Sequence, residues 1–160
     1  MKKLHFSLMA IFFALFAMVS FTACSSDDDE VPSTEAIKEN IVGMWQTTHI
    51  LGWAYDDTSD ENLIKVDRDI TENDSYAERI LFRADGICTL YHYSKYSNKW
   101  VMDYSGYPYE VSGNKVIIYN RSEVEQTFSI LSLNNDQVII EYEMDEGPDY
   151  KTKVTCKRVN

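Results

Sequence analysis

The chain has 160 residues, of which 44% are hydrophobic and 26% charged, and its formal net charge is −11 at pH 7. This length suits one globular domain built around one core. Nucleic-acid binding depends on lysine and arginine side chains that neutralise phosphates, so a chain this acidic excludes that class of function.

Two lysines at the N-terminus precede an apolar run that ends in small residues just before Cys24. A charged start, an apolar stretch and small residues at its end are typical of a secretory signal peptide, here residues 1–23. A membrane-spanning helix is the alternative. It fits less well, because Ser7, Ser20 and Thr22 interrupt a stretch that is barely long enough to span a bilayer.

The sequence around Cys24, Phe21-Thr22-Ala23-Cys24, resembles the lipobox of bacterial lipoproteins. That resemblance implies that the signal peptide is cut before Cys24 and that the cysteine carries acyl chains such as palmitate. Several acyl chains hold a protein on a bilayer far more firmly than one chain does. We therefore expect a lipid anchor at Cys24 and the membrane as a partner.

Residues 24–33 form an acidic tether that contains Asp27-Asp28-Asp29-Glu30. A block of like charges stays solvated and extended, so the tether holds the following domain, residues 34–160, away from the bilayer. The tether also resembles the acidic export signal of surface lipoproteins in some Gram-negative bacteria. This implies an outer-membrane protein exposed on the cell surface, whereas the plainer interpretation is a solvated spacer.

The domain begins with a short helix and a first strand. Ser33 is a hydroxyl cap, Ile37 and Ile41 are one helical turn apart, and Gly43 ends the pattern, which together predict a helix. Alternation then predicts a strand with one face formed by Trp45, Thr47, His49 and Leu51. We interpret residues 52–77, which are acidic and rich in turn residues, as a long loop.

Strand-like runs recur from residue 78 onward, separated by short turns. They predict hairpins over residues 79–93, 107–120 and 125–144, a less regular strand over 99–106 with a bulge at its end, and a last strand over 150–159. The expected fold class is all-β: an antiparallel up-and-down barrel of about eight strands with a short N-terminal helix. Closure into a barrel removes exposed strand edges.

Gly43-Met44-Trp45 after a short helix resembles the signature at the first strand of lipocalins and of lipocalin-like bacterial lipoproteins. The hairpin sequences from Phe82 and from Val111 resemble the same lipoprotein domains. The resemblance implies that Trp45 closes one end of the barrel and that Arg158 packs over it. Such a cation–π contact contributes about 0.5 to 2 kcal/mol.

No metalloprotease, nucleophile-elbow, redox-cysteine or phosphate-loop motif occurs in the sequence. The acidic run around Asp56, Asp57, Asp60 and Glu61 lacks the glycine and the distal glutamate of a calcium loop. We therefore expect no catalytic residue, no metal and no cofactor.

An eight-stranded barrel has room for about one small ligand. Strand parity places His92, Tyr109 and Tyr142 toward the interior, although a hydrogen-bonded structural role is the alternative for His92. The leading hypothesis is a non-enzymatic binding module for a small apolar or amphipathic molecule. It requires a void of about 300 Å³ or more.

An unusual density of aromatic residues supports a different class of function. Tyr91, Tyr93, Tyr96 and Trp100 belong to a tyrosine-rich segment. Exposed tyrosines suit contact with a glycan or a partner protein, as in an accessory surface protein, whereas buried ones serve cross-strand packing. The contact hypothesis requires a filled barrel and an exposed aromatic patch.

Cys88 and Cys156 remain after Cys24 is assigned to the lipid. In an oxidising compartment they form either one disulfide or two buried free thiols. The sequence leaves both alternatives open.

Overall fold

The computed structural model describes residues 31–56, 59–120, 123–144 and 147–159. The predicted signal peptide, Cys24 and residues 25–30 of the tether lie outside these residues. A search of the described helices finds none with the length and apolar character that a membrane crossing requires.

One helix and nine strands make up the described residues. The helix is capped by Ser33, whose hydroxyl accepts the Ala36 N–H at 3.3 Å. In chain order the elements are α1 (Thr34–Asn40), β1 (Gly43–Asp56), β2 (Ser59–Asp69), β3 (Glu78–Phe82), β4 (Ile87–Ser94), β5 (Lys99–Ser112), β6 (Lys115–Asn120), β7 (Glu123–Leu133), β8 (Gln137–Met144) and β9 (Gly147–Val159).

The nine strands form one antiparallel sheet in the order β2-β1-β3-β4-β5-β6-β7-β8-β9, and β9 pairs back onto β1. Eight of them, β1 and β3 to β9, close the barrel. In the described part of the chain β2 pairs with β1 alone. The predicted all-β up-and-down barrel with a short helix is confirmed.

The prediction of a long loop over residues 52–77 is wrong. β1 continues to Asp56 and β2 returns antiparallel along it, with Gly52 opposite Val66. Gly52 has φ +128°, and a Cβ atom there would lie 2.2 Å from the carbonyl oxygen of Lys151, so glycine lets β1 pass β9 closely. The charged, turn-like composition of this segment suggested a loop, although the segment contains a strand with one solvent-exposed face.

The predicted face of the first strand is wrong after Thr47. β1 has one residue more than β9 between Thr47 and His49, a β-bulge at Thr48. The bulge reverses the alternation, because every later side chain moves to the other face. Trp45 and Thr47 face inward, whereas Leu51 is 45% exposed.

The three predicted hairpins are present with the expected register. Phe82 lies opposite Cys88, and Val111 lies opposite Val116. In the third hairpin Ile130 lies opposite Ile140. Alternating inward residues of these strands build a continuous core, to which α1 adds Ile37 and its C-cap adds Ile41, 0% and 1% exposed.

Both Cys88 and Cys156 are buried and free, so the disulfide alternative is wrong. Cys88 lies on β4 and Cys156 on β9, and strands β1 and β3 stand between them in the sheet. Disulfide geometry needs neighbouring Cα atoms, which this strand order does not provide. Burial raises the pKa of Cys88 to about 11 and that of Cys156 to about 12.

Candidate functional site

One end of the barrel is closed by Trp45 and Arg158. The Trp45 ring is fully buried, and its Nε1–H donates to the carbonyl of Ile41 at 2.7 Å. The Arg158 guanidinium lies over the ring, 4.3 Å from its centroid. This is the contact that the resemblance implies.

Arg158 also ties three segments of the chain together. Its Nη1 donates to Val42 at 2.7 Å, its Nη2 to Asn40 at 2.6 Å and its Nε to Asn135 at 2.6 Å, each time to a carbonyl oxygen. The acceptors at Asn40 and Val42 lie just at and after the end of α1, where carbonyls lack helical partners. Arg158 therefore fixes α1 across the end of the barrel.

Gly43 makes room for this arginine. Its φ is +138°, and a Cβ atom at Gly43 would lie 2.3 Å from Arg158 Nη1. Any side chain would displace the guanidinium as well as strain the backbone. Gly43, Trp45 and Arg158 thus act as one seal.

Above this seal the barrel encloses a cavity of about 390 Å³. This exceeds the ~300 Å³ that a small-molecule site requires. Its floor is apolar, and its rim is polar and rich in tyrosine. The floor and walls include Trp45, Ile50, Ile80, Phe82, Leu90, Phe128, Val138, Ile140 and Val154, and the rim includes Tyr76, Glu78, Asp103, Tyr104, Tyr107, Gln126 and Tyr142.

Glu78 carries an acidic group into this cavity. It is the first residue of β3 and lies opposite His92, on the same face as Ile80 and Phe82. Within the described part of the chain no hydrogen bond or salt bridge involves its carboxylate. Desolvation by the surrounding protein, followed by the charge of Asp103, raises the pKa of Glu78, while His92 opposes the rise, and the side chain still keeps contact with solvent in the cavity.

Asp103 reaches the cavity because β5 bulges. Leu90 pairs with Tyr104 and Tyr91 with Met102, so Asp103 is the extra residue. Its Oδ1 is hydrogen-bonded to His92 Nδ1 at the rim, where the two side chains are 46% (His92) and 48% (Asp103) exposed. His92, predicted as a ligand-binding residue, therefore stands beside Asp103 at the mouth.

A second bulge in β5 brings two tyrosines together. In the pairing of β5 with β4, Gly106 has no partner and its φ is +93°. This is the bulge predicted at the end of residues 99–106. The rings of Tyr104 and Tyr107 then lie 4.1 Å apart at their centroids, inclined by 31°. Both side chains line the cavity.

Tyr142 lines the opposite wall, as the sequence predicts for a ligand-binding residue. Burial is the main cause that raises its pKa to about 12, and the charge of Glu78 adds to it. Tyr142 pairs across β8 and β9 with Thr152, which is fully buried and donates to the carbonyl of Trp53. The phenol is thus held as a neutral hydroxyl inside the barrel.

Tyr109 does not line the cavity, and its assignment to the ligand site is wrong. Its ring packs edge-on against Phe82, with centroids 4.9 Å apart, and its hydroxyl donates to the carbonyl of Arg83 at 2.9 Å. Strand parity correctly predicts that Tyr109 faces inward. The residue lies further along β5, however, where core side chains fill the barrel.

The predicted surface aromatic set is only partly exposed. Tyr96 is fully exposed, whereas Tyr91 is half-buried. Tyr93 and Trp100 form an edge-to-face pair, 5.5 Å between centroids, that packs against the core. The prediction is wrong for these two residues, because cross-strand packing uses their rings.

Sequence reasoning missed Glu78 and Asp103. Extending the predicted pairs Phe82–Cys88 and Ile80–Leu90 by one step gives Glu78 opposite His92, so strand parity contained the first signal. Asp103 gave no such signal, because a bulge breaks parity.

The described residues contain no group of three or more His, Cys, Asp or Glu side chains arranged to hold a metal. Asp57 lies outside the described residues, as do the side chains of Asp60 and Glu61.

Comparisons with known proteins agree with this fold. A protein-family model described as "Lipocalin-like domain" matches residues 41–140. A comparison with curated proteins finds no match.

Two solved structures resemble the chain. One is described as "Biogenic amine-binding protein selenomethionine derivative" and has 14% identity and a TM-score of 0.36. The other is the tryptamine complex of the amine-binding protein of Rhodnius prolixus, with 14% identity and a TM-score of 0.37. Both matches cover 74% of this chain and 63% of the other. A likeness this distant says nothing about which ligand this chain binds.

Proposed function

The chain belongs to the family of lipocalin-like domains, and on that premise we propose that it is a non-enzymatic module that binds one small amphipathic molecule inside its barrel. The observation that supports this proposal is the cavity of about 390 Å³ above the Trp45 seal. Its volume suits a single small ligand.

The lining favours an amphipathic molecule over a purely apolar one. Ile80, Leu90 and Ile140 are half-buried and offer a surface without hydrogen-bonding side-chain groups, which accepts an apolar body. Glu78, closer to the mouth, needs a polar partner when a ligand displaces water. A ligand with one apolar end and one polar end satisfies both regions.

The surface-contact alternative receives less support. It requires a filled barrel, whereas the interior contains a cavity, and it requires an aromatic patch from which Tyr93 and Trp100 are withdrawn by packing.

The binding experiment compares two matched tryptophan substitutions in the full chain, reconstituted in phospholipid nanodiscs. Leu90→Trp fills the cavity from its wall, and Leu51→Trp adds the same ring to the exposed outer face of β1. Native mass spectrometry of the wild type should show a bound small molecule or uptake from a small amphipathic library. Leu90→Trp should abolish this binding and Leu51→Trp should retain it; equal binding by both variants would contradict an internal site.

We also propose that the module is lipid-anchored at Cys24 and displayed on the outer surface of the outer membrane. The support is the sequence pattern of residues 1–33, a signal peptide, a lipobox-like tetrapeptide and an acidic tether. Metabolic labelling with a palmitate analogue should tag the wild type and leave Cys24→Ser unlabelled. Digestion of intact cells with a protease should remove the domain; a protected domain would contradict surface display.

A further inference from the structure

The charges around the cavity are unbalanced. Glu78 and Asp103 bring two carboxylates to it, and Arg79 is the one lysine or arginine among the described lining residues. Arg79 is already engaged: its Nε and Nη2 donate to Gln46 Oε1 at 2.9 and 2.7 Å, and its guanidinium lies 4.0 Å from the centroid of Trp100. It is therefore not available as a cationic partner for Glu78.

Two other basic side chains of the described residues near the mouth are engaged as well. Lys151 lies 3.5 Å from Glu141 and 3.7 Å from Glu143, and His92 is hydrogen-bonded to Asp103. The side chain of Glu78 thus lines the cavity, where it is exposed to solvent, and no hydrogen bond or ion pair from the described residues reaches its carboxylate. A ligand that displaces water from this carboxylate leaves it unpaired unless the ligand supplies a positively charged partner.

The tyrosines of the rim add to this preference. The stacked pair Tyr104 and Tyr107 lines the same cavity as Glu78, and Tyr142 lies near enough for the charge of Glu78 to raise its pKa. Aromatic faces attract ammonium groups through the ring quadrupole, more strongly when water is excluded. An anionic head group is repelled by both carboxylates, and a neutral one leaves Glu78 unpaired.

We propose that the ligand of this cavity is an amphipathic amine whose ammonium group pairs with Glu78 and whose apolar body lies on Ile80 and Ile140, among the tyrosines that line the same cavity. This inference rests on the proposed function and deepens it, because it fixes the charge of the ligand and its orientation in the barrel.

Affinity for such an amine depends on pH in a defined direction. The groups that face Glu78 are Asp103 and His92 at the mouth and Tyr76 and Tyr142 on the walls. As the pH falls through the raised pKa of Glu78, its carboxylate gains a proton and loses its negative charge. Binding of a cationic amine therefore weakens as the pH falls, whereas binding of a neutral molecule changes little.

The test uses three probes of the same shape: phenethylamine, 2-phenylethanol and 3-phenylpropionate, which are cationic, neutral and anionic at pH 7. Each is titrated calorimetrically into the full chain in nanodiscs, with empty nanodiscs as the blank. The amine should bind at least about tenfold more tightly than the alcohol, the ratio expected of a charge-assisted hydrogen bond, and the anion most weakly.

Variants assign the preference to one carboxylate. Glu78→Gln should remove the advantage of the amine over the alcohol. Asp103→Asn should weaken amine binding by a smaller factor, since this rim residue is half exposed and better screened. Glu39→Gln, on the exposed face of α1, changes the net charge equally and should have no effect.

The outcomes separate the two proposals. If the alcohol binds as tightly as the amine, or if folded Glu78→Gln keeps the preference, the cationic ligand is refuted and the binding module stands. If the wild type takes up none of the three probes and the library of the Leu90→Trp experiment also gives no binder, both proposals fail. Circular dichroism of each variant checks that it is folded. Asp103→Asn tests, independently of Glu78, whether negative charge at the mouth favours the amine.

Discussion

The two ends of the barrel use polar side chains in opposite ways. At the closed end Arg158 gives donors to three carbonyls and stacks on Trp45, whose indole N–H is also bonded, so few polar groups lack a partner. At the open end no ion pair among the described residues involves Glu78, and two bulges interrupt β5. The difference indicates that the closed end stabilises the fold, while the open end keeps unsatisfied groups that a ligand can satisfy.

The largest expected effect follows from removing the closed end. Trp45→Ala empties a fully buried ring and removes the platform of Arg158. We expect a loss of about 3 to 5 kcal/mol in the free energy of unfolding, measured by urea denaturation. A loss of less than about 1 kcal/mol would mean that the seal does not stabilise the barrel.

Gly43→Ala tests the same end more finely. The new Cβ atom clashes with Arg158 and sits at a positive φ, so we expect destabilisation of more than about 1 kcal/mol. Gly147→Ala is the matched control, because Gly147 also has a positive φ, +121°, but no atom within 4 Å of the added Cβ. Equal melting temperatures for the two variants would show that contact with Arg158 is unimportant.

The open end should respond to pH through Glu78. A carboxyl whose pKa is raised in the folded state binds more protons there than in the unfolded chain. Its contribution to stability is therefore lost as the pH rises from the unfolded pKa, near 4.5, through the raised pKa, and the cost persists at higher pH. Glu78→Gln should remove this decline and be at least as stable as wild type at pH 7, as measured by thermal melts across the pH range. A less stable variant would indicate that Glu78 has a structural partner.

The smallest effect concerns the thiols. Cys88 and Cys156 are buried and their pKa values are raised to about 11 and 12, so the reactive thiolate is scarce and enclosed. Ellman's reagent should modify neither in the folded domain and both after unfolding in guanidinium. Rapid modification of the native protein would show that the core opens readily.

Much of the fold was predictable because strand pairing within a hairpin is local. The turn at Gly86 fixes Phe82 opposite Cys88, and the turn at Gly113 fixes Val111 opposite Val116. The strand β2 was not predictable, since its charged residues alternate with few apolar ones and its pairing depends on β1 continuing past Gly52. For the site, strand parity predicted that Tyr142 faces inward. It did not predict that Asp103 reaches the cavity, nor that Tyr109 lies too far along β5 to line it.

The sequence by itself determined the alternation of the hairpins, the helix at the start and the residues of the seal, because these depend on neighbours along the chain and on a short motif. Only the tertiary structure decided that the barrel is hollow near its mouth and that Glu78 lies there with no ion pair or hydrogen bond from the part of the chain that the structure describes. The physical reason is that a bulge changes the face of a strand according to what lies beside it, and a cavity is the space left after all strands have packed. Neither the face of a bulged strand nor the volume of a cavity can be read from a single segment of the sequence.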